Sequence, residues 1–342
     1  MIYAPMMIPT LCRSEHFIRC VESLKRNSWA RYTDMYIALD YPAKDEHWDG
    51  YRKICDYLEN SDLSIFASFH VVKRESNYGA GKNSRELREY IFQKYDRVIR
   101  TDDDVEFSPN FLEFMDKTLE MYKDDDKVIA VSGYSYPIEW DVSRGSNTLL
   151  ENIVAPMWGT GFWRKKYEIV SEYIRSGGLI RDFAKTCRMG KHKKMIYAAW
   201  IDYVTSVTGR HPYEGLVCGM SDIALRIYLV VKDSYVISPT VSKSRNWGFD
   251  GSGVYCPSIS GGRKGGCARD YLYKEQPIDE SSFFDIVPDK KQAFEENRKR
   301  LNLFDSRSFR EKADVTCRVI LYRGLGEKRY RQLIAFVRGG TA

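Results

Sequence analysis

The chain has 342 residues, 43% hydrophobic and 29% charged, the balance of a folded protein of one large or two ordinary domains and not of a disordered chain. No apolar run approaches the roughly 20 residues that span a bilayer, and the opening "MIYAPMMIPTL" lacks the basic region of a secretion signal, so neither is expected. The net charge of +6 is uneven: residues 298–342 hold 12 Lys and Arg against 4 Asp and Glu, a basic tail on a near-neutral body, which excludes a protein that coats nucleic acid with its whole face.

In chain order, "MIYAPMMIP" reads as a strand, and "SEHFIRCVESLKRN" has helical apolar spacing behind Ser14 as a possible cap. "DMYIALD" and "DEHWDGYRKICDYLE" form the next strand and helix, followed by "LSIFASFHVVK" and "NSRELREYIFQKY". "DRVIRTD" is a fourth strand, and "SPNFLEFMDKTLEMYK" a helix with Ser108 as N-cap and Pro109 as its first residue. "DKVIAVSGYS" closes the series. Strands alternating with helices of this length predict an α/β fold with a mostly parallel sheet covered on both faces. Beyond about residue 140 the rhythm loosens. "APMWGTGFWRKKYEIVSEYI" is a turn running into a helix, "GMSDIALRIYLVVKDSYVISP" a helix leading to a strand, and "PSISGGRKGGCARD" a lid or linker. The division expected is a domain over 1–256, with halves 1–135 and 136–256, a mobile linker over 257–297 and a helical tail over 298–342. The eight cysteines include no CxxC pair, which reads as reduced thiols in a cytosolic protein.

Two acidic triplets stand out, Asp102–Asp104 in "VIRTDDDVEFSPNF" and Asp124–Asp126 in "MYKDDDKVIAV". Adjacent carboxylates repel, so packing alone does not gather them. The first follows a strand and precedes a helix, which puts it at the carboxyl end of a strand, where open α/β sheets bind ligands. The second lies between a helix end and the next strand, and reads as a solvated turn. Hard cations take oxygen ligands, so a strand-end triplet suits Mg2+ or Mn2+ held against a diphosphate. No P-loop and no GxGxxG supplies a phosphate cradle, and "GAGKNS" at 79–84 is too short for one; it reads as a loop lining the site.

The block "VIRTDDDVEFSPNFLEFMDKTLEMYKDDDKVIAVSGYS" resembles the metal-binding region of GT-A glycosyltransferases, particularly the inverting Golgi N-acetylglucosaminyltransferase acting on mannose arms and bacterial enzymes that build surface polysaccharides. "PTLCRSEHFIRCVESL", "YIALDYP", "MWGTGFW" and "SDIALRIYLVVKDSYVISPTVSKSRNWGFDGSG" resemble further family segments in the same order, over about residues 3–256. The resemblance implies a GT-A fold, an inverting single displacement, a UDP-sugar donor and a glycan or lipid-linked glycan acceptor. It implies Asp104 as the metal ligand, Asp102 and Asp103 on the ribose or donor sugar, and Arg13 and Asp40 on the base. Lys82 joins them as a donor-side residue of the loop at 79–84. Trp158, Gly159, Thr160 and Gly161 would lie on the acceptor side, and Asp222 would be the general base.

Each assignment has a plainer rival. Asp222 after Ser221 suits helix capping, Asp40 a turn, Arg13 a surface pair with Glu15, and Trp158 the core. The five histidines show no ligand spacing. Bacterial relatives often carry a histidine after the "GFDGSG" turn, where this chain has Tyr255 and Cys256, which leaves a third protein ligand open. A nucleotidyltransferase is an alternative reading, against which "IPTLCRSE" has no glycine; a non-catalytic carbohydrate- or membrane-binding protein is another. The tail mixes basic residues with apolar ones from Val319 to Val337, broken at Gly324 and Gly326, and reads as amphipathic helices that either pack on the domain or dock on the anionic cytoplasmic face of the cell membrane.

Overall fold

A computed structural model describes residues 2–152, 156–179, 182, 220–253, 276–281 and 285–304, with scattered positions from 313 to 337. Two compact units emerge. The first comprises Met1–Glu151, Pro156–Tyr167 and Tyr235–Leu301; the second comprises Asn152–Ala155, Glu168–Ser234 and Asn302–Ala342. The boundaries differ from a cut at residue 256, because the chain returns to the first unit after residue 234.

In the first unit the elements are β1 (Met6–Thr10), α1 (Ser14–Lys25), β2 (Asp34–Leu39), α2 (His47–Asn60), β3 (Ser68–Lys73) and α3 (Gly79–Phe92). Then follow β4 (Arg97–Arg100), β5 (Val105–Phe107), α4 (Phe111–Met121), β6 (Val128–Ser132), β7 (Thr148–Glu151), β8 (Thr160–Trp163) and the start of α5 (Arg164–Arg175). Helix α6 (Asp222–Lys232) belongs to the second unit, and β9 (Tyr235–Pro239), β10 (Ser244–Asn246) and most of α7 (Phe294–Phe304) to the first.

Eight strands form one mixed, mostly parallel sheet in the order β3-β2-β1-β4-β8-β6-β9-β7. The half from β3 to β4 is parallel, with Met6 of β1 between Met35 and Ile99. Strands β8 and β7 run against their neighbours. β1 is central, so Met6, Met7 and Ile8 are fully buried in an unbroken apolar run, as a strand covered on both faces requires. Phe17, Val21 and Leu24 of α1 and Phe111, Phe114 and Met115 of α4 join its neighbours in one core. The βαβ rhythm predicted from the sequence is present.

Local starts differ from the sequence reading. α1 begins at Ser14 itself, with Arg13 before it and no side-chain cap. α4 begins at Phe111, not Pro109, because Ser108–Asn110 are drawn into a turn: Ser108 N–H donates to Lys243 O at 2.9 Å and Asn110 Nδ2 donates to Asp279 and Ser281. Residues 79–84 are not a loop but the first turns of α3, entered through Gly79 at φ 71°. The expected linker over 257–297 lies partly outside the described residues. Its described remainder is anchored: Gln276 is buried, and Asp279 pairs with buried Lys243.

The second triplet is the turn expected of it. Asp124–Asp126 are exposed between α4 and β6, and the turn is organised from below by Lys166, whose ammonium donates to the carbonyls of Tyr122, Asp125 and Val128 at 2.7–3.0 Å. Burial lowers the Lys166 pKa, and the three aspartates above oppose that fall.

In α4, Asp116 is fully buried. Its Oδ1 accepts from Ala4 N–H at 2.8 Å, while Oδ2 has no partner. Burial pushes its carboxyl from 3.8 to about 7, against the pull of the Ala4 N–H and Arg97. A folded-state pKa above the unfolded one means the fold loses stability as pH rises from about 4 to about 7, with the cost constant above that; the shift corresponds to about 4 kcal/mol at most. Asp116→Asn keeps the Ala4 acceptor and removes the charge. Its melting temperature is therefore expected to exceed the parent's at pH 8, with the gap closing by pH 4; a gap independent of pH would show that the carboxyl does not titrate in this range.

Candidate active site

The first triplet follows β4 directly. Thr101 N–H donates to Met7 O at 3.2 Å, which fixes the end of β4 against β1 and sets Asp102–Asp104 beside the turn that leads from β1 into α1. Each carboxylate then has a cationic partner. Arg100 Nη2 donates to Asp102 Oδ1 at 2.7 Å, and Arg13 Nη1 to Asp104 Oδ2 at 2.7 Å. The second Arg13 nitrogen donates to Asp103, whose other oxygen accepts from Thr10 Oγ1 at 2.8 Å. Arg13 serves the triplet and not a surface pair with Glu15, while Asp40, expected with it on a nucleotide base, donates its N–H to Thr10 O at 2.9 Å, three residues before Arg13.

Burial pushes the Asp104 carboxyl up, and Arg13 pulls it back. Arg13 shows the converse: burial works against its charge, but Asp103 and Asp104 hold the guanidinium above its ordinary value. Asp104 Oδ1 is buried without a hydrogen-bond partner.

A turn at 247–253 lies against this cluster. Trp247 N–H donates to Asp104 O at 2.8 Å, and Gly248 N–H to Asn246 Oδ1 at 2.7 Å. A Cβ on Gly248 would overlap the Asp104 carboxylate, so only glycine permits this approach. The Trp247 ring lies under the Arg19 guanidinium at 4.4 Å and donates to Glu106 at 2.8 Å. Farther along the turn, Asp250 meets His16 Nε2 at 2.8 Å, and Ser252 Oγ is 3.2 Å from the same nitrogen. Although burial pushes Asp250 up, its bonds to Ser252 and His16 hold its carboxyl at about 2.

Asp40 is buried, and both of its oxygens are engaged within the chain. Oδ1 accepts from Tyr41 N–H at 2.9 Å and Tyr78 N–H at 2.8 Å, and Oδ2 from Asn77 Nδ2 at 3.4 Å. It ties the end of β2 to the start of α3, as the turn reading supposed. Lys82 is exposed on α3, with its ammonium 3.8 Å from the Tyr78 ring centre and 3.7 Å from Glu86. Gly159, Thr160 and Gly161 are buried. Gly159 has φ 80°, Thr160 Oγ1 donates to Pro156 O at 2.8 Å, and a Cβ on Gly161 would press on Met115 and Leu119. Trp158 is half-buried, edge-on to Tyr134 at 4.8 Å and to Phe249 of the 247–253 turn at 5.7 Å.

Asp222 is the first residue of α6, in the second unit; the cap is Ser221, whose hydroxyl accepts from Ala224 N–H at 3.2 Å. The capping demand is thus met by the neighbour. Tyr255 and Cys256 lie outside the described residues.

Sequence reasoning gave no site role to Thr10, Arg100 or His16, and named Gly248 and Phe249 only as part of the "GFDGSG" turn. Arg100 had a signal in its place two residues before the triplet. His16 had none, since its partner lies 234 residues away.

The geometry fits a cation that takes one protein carboxylate. Among the described residues no three His, Cys, Asp or Glu side chains form a metal cage. The bare Asp104 Oδ1 suits a hard ion whose remaining ligands are phosphate oxygens and water.

No family model matches the chain, and no curated protein does. Among solved structures it is similar to the mannosyltransferase PcManGT from Pyrobaculum calidifontis in complex with GDP-Man and Mn2+, at 15% identity over 50% of this chain and 46% of that one, TM-score 0.34. It is also similar to TarS of S. aureus: to its 1–349 form at 10% identity, 47% of each chain and TM-score 0.33, and to a second TarS structure at 9%, 49% of this chain and 29% of that one, TM-score 0.32. The matched region spans less than half the length of each of these structures. The functional reading therefore stands on this chain's own residues.

Gly248→Ala would force the Asp104 carboxylate aside and is expected to cost about 1–3 kcal/mol of stability, as overpacking does. In an Asp104→Ser background the same change should cost markedly less, because the obstructing carboxylate is gone. Equal costs in both backgrounds, measured by denaturant unfolding, would mean the two residues do not press on each other.

Proposed function

We propose that the protein is an inverting, metal-dependent glycosyltransferase of the GT-A kind, moving a hexosyl or N-acetylhexosaminyl group from a UDP-sugar to a glycan acceptor in bacterial surface polysaccharide or glycoconjugate synthesis. The observation that carries the reading is the strand-end triplet with its bare, buried Asp104 oxygen. Asp104 would hold Mn2+ or Mg2+; such an ion, when bound, neutralises the charge developing on a departing nucleoside diphosphate. Asp102 and Asp103, oriented by Arg100 and Arg13, present carboxylate to the donor's hydroxyls. Asp40 contributes by holding the Asn77–Tyr78 backbone, and Lys82 supplies a cation at the start of α3. Trp158 offers a ring face of the kind sugars stack on. Asp222, relieved of capping by Ser221, takes the proton from the acceptor hydroxyl as that oxygen attacks the anomeric carbon. The bond to the diphosphate breaks as the new glycosidic bond forms, so the anomeric centre inverts.

The decisive experiment is UDP release from a panel of UDP-sugars by the purified chain, with and without Mn2+. Asp104→Ala should abolish metal-dependent release, and replacing all of Asp124–Asp126 should leave it within a few-fold. Asp222→Asn should retain donor binding and lose on the order of 10² to 10⁴ in turnover. Absence of release from any UDP-sugar, or equal losses from the two triplets, would sink the proposal.

The acceptor's nature bears on location. No helix among the described residues is long and apolar enough to cross a membrane. In the tail, however, Ile320, Leu321, Phe336 and Val337 are exposed among basic residues, while Tyr330 is buried. We extend the proposal to peripheral docking on the anionic cytoplasmic leaflet, where each nearby Lys or Arg contributes about 1 kcal/mol. The full chain is expected to co-sediment with anionic vesicles at low salt and to be released as salt screens the attraction. Retention in the supernatant at low ionic strength would leave the tail a structural element only.

A further inference from the structure

The two bonds that Arg13 makes are those of a counter-cation. Its guanidinium spans Asp103 and Asp104 with one nitrogen on each, from a backbone position immediately before α1. With Arg100 on Asp102, three carboxylates face two fixed positive charges, and the cluster keeps a single net negative charge. A cluster so neutralised has little attraction left for a free dication, and a dication at Asp104 Oδ1 would stand beside the guanidinium on the same carboxylate. The same guanidinium is a five-donor fork suited to phosphate oxygens.

We propose that Arg13 couples metal binding to nucleotide binding. Resting on the two aspartates, it makes the site a poor binder of metal alone. A nucleoside diphosphate offers the guanidinium alternative anionic partners, which frees the carboxylates for the ion and brings the negative charge of its own phosphates to it. Metal and nucleotide then bind together far better than either does singly, and by linkage each tightens the other by the same factor. This inference rests on the glycosyltransferase reading only in taking a metal and a nucleoside diphosphate as the ligands.

The test is Mn2+ titration of the full chain, followed by the free-ion EPR signal, with and without saturating UDP and no sugar present. The parent should bind Mn2+ weakly alone and tightly with UDP. Arg13→Gln, which removes the charge and keeps a polar side chain, should bind Mn2+ alone tighter by on the order of tenfold or more, because a like charge has left the site. Its coupling factor with UDP should shrink correspondingly. Arg13→Lys, which keeps the charge, should stay close to the parent in Mn2+ affinity. Thermal shift gives a second readout: Mn2+ without nucleotide should raise the melting temperature of Arg13→Gln more than that of the parent.

If the parent binds Mn2+ neither alone nor with UDP, the metal site itself is refuted. If the parent shows coupling but Arg13→Gln binds Mn2+ alone no tighter and retains the full coupling factor, the role given to Arg13 is wrong and the site stands. Should Arg13→Gln fail to fold in the absence of metal, its rescue by Mn2+ without UDP supports the proposal, and failure of that rescue overturns it.

Discussion

Three adjacent carboxylates at the end of a sheet, two of them buried, can persist only with counter-charge fixed at close range, because burial disfavours each ionised form and their proximity compounds it. The sheet order meets this demand. β1 and β4 are neighbours, so the turn leaving β1 brings Thr10 and Arg13 to the triplet that leaves β4. Arg100 completes the arrangement from the last position of β4. Had another strand separated these two, Arg13 would have no path to Asp104. Removing the guanidinium would leave a buried, unpaired charge, which costs far more than a surface ion pair gains.

The opposite side of the cluster depends on a longer chain of supports. Gly248 reaches Asp104 because β10 is paired antiparallel to β5, with Asn246 opposite Val105. β10 in turn is fixed through Lys243 and Arg245. Lys243 is fully buried, which lowers its pKa, and its ammonium is paired with Asp279. Asp279 also accepts from Asn110, the residue before α4. Arg245 donates to Gln276 O at 2.6 Å. Residues 276–281, which lie in the expected linker, therefore hold β10, the strand that leads into the turn touching the triplet. A charged strap of this kind specifies one arrangement, whereas an apolar contact would tolerate slippage.

The fold was legible because it rests on local periodicity. Apolar runs in β1, β2 and β4 and helical spacing in α1 and α4 each carry their signal within about a dozen residues. The position of Asp102–Asp104 was legible too, because it follows from strand order along the chain. What the sequence did not disclose are pairings between distant residues: His16 with Asp250, Arg13 with Asp104, and Lys243 with Asp279. Such pairs have no spacing rule. Helix starts were misread for a related reason. Ser108 looked like a cap, but its backbone is taken by Lys243, a contact made 135 residues away. "GAGKNS" looked like a loop because its glycines outweighed the helical residues after them, yet Gly79 alone, at positive φ, makes the turn.

The second triplet shows how far identical residues diverge when topology differs. Asp124–Asp126 face solvent, where water screens their mutual repulsion and no buried partner is needed. Lys166, beneath them, spends its hydrogen bonds on backbone carbonyls rather than on their carboxylates. It satisfies carbonyls along the connection from the α4 C-cap at Tyr122, through Asp125, to Val128 at the start of β6. At Asp102–Asp104 the guanidinium of Arg13 goes to the carboxylates themselves, because there water is excluded and the charges must be met directly. A carboxylate that an arginine neutralises in a buried site is one whose partner can be exchanged for another cation. A carboxylate that water neutralises offers a cation no such advantage. That difference, set by which end of a strand each triplet occupies, makes one a candidate site and the other a turn.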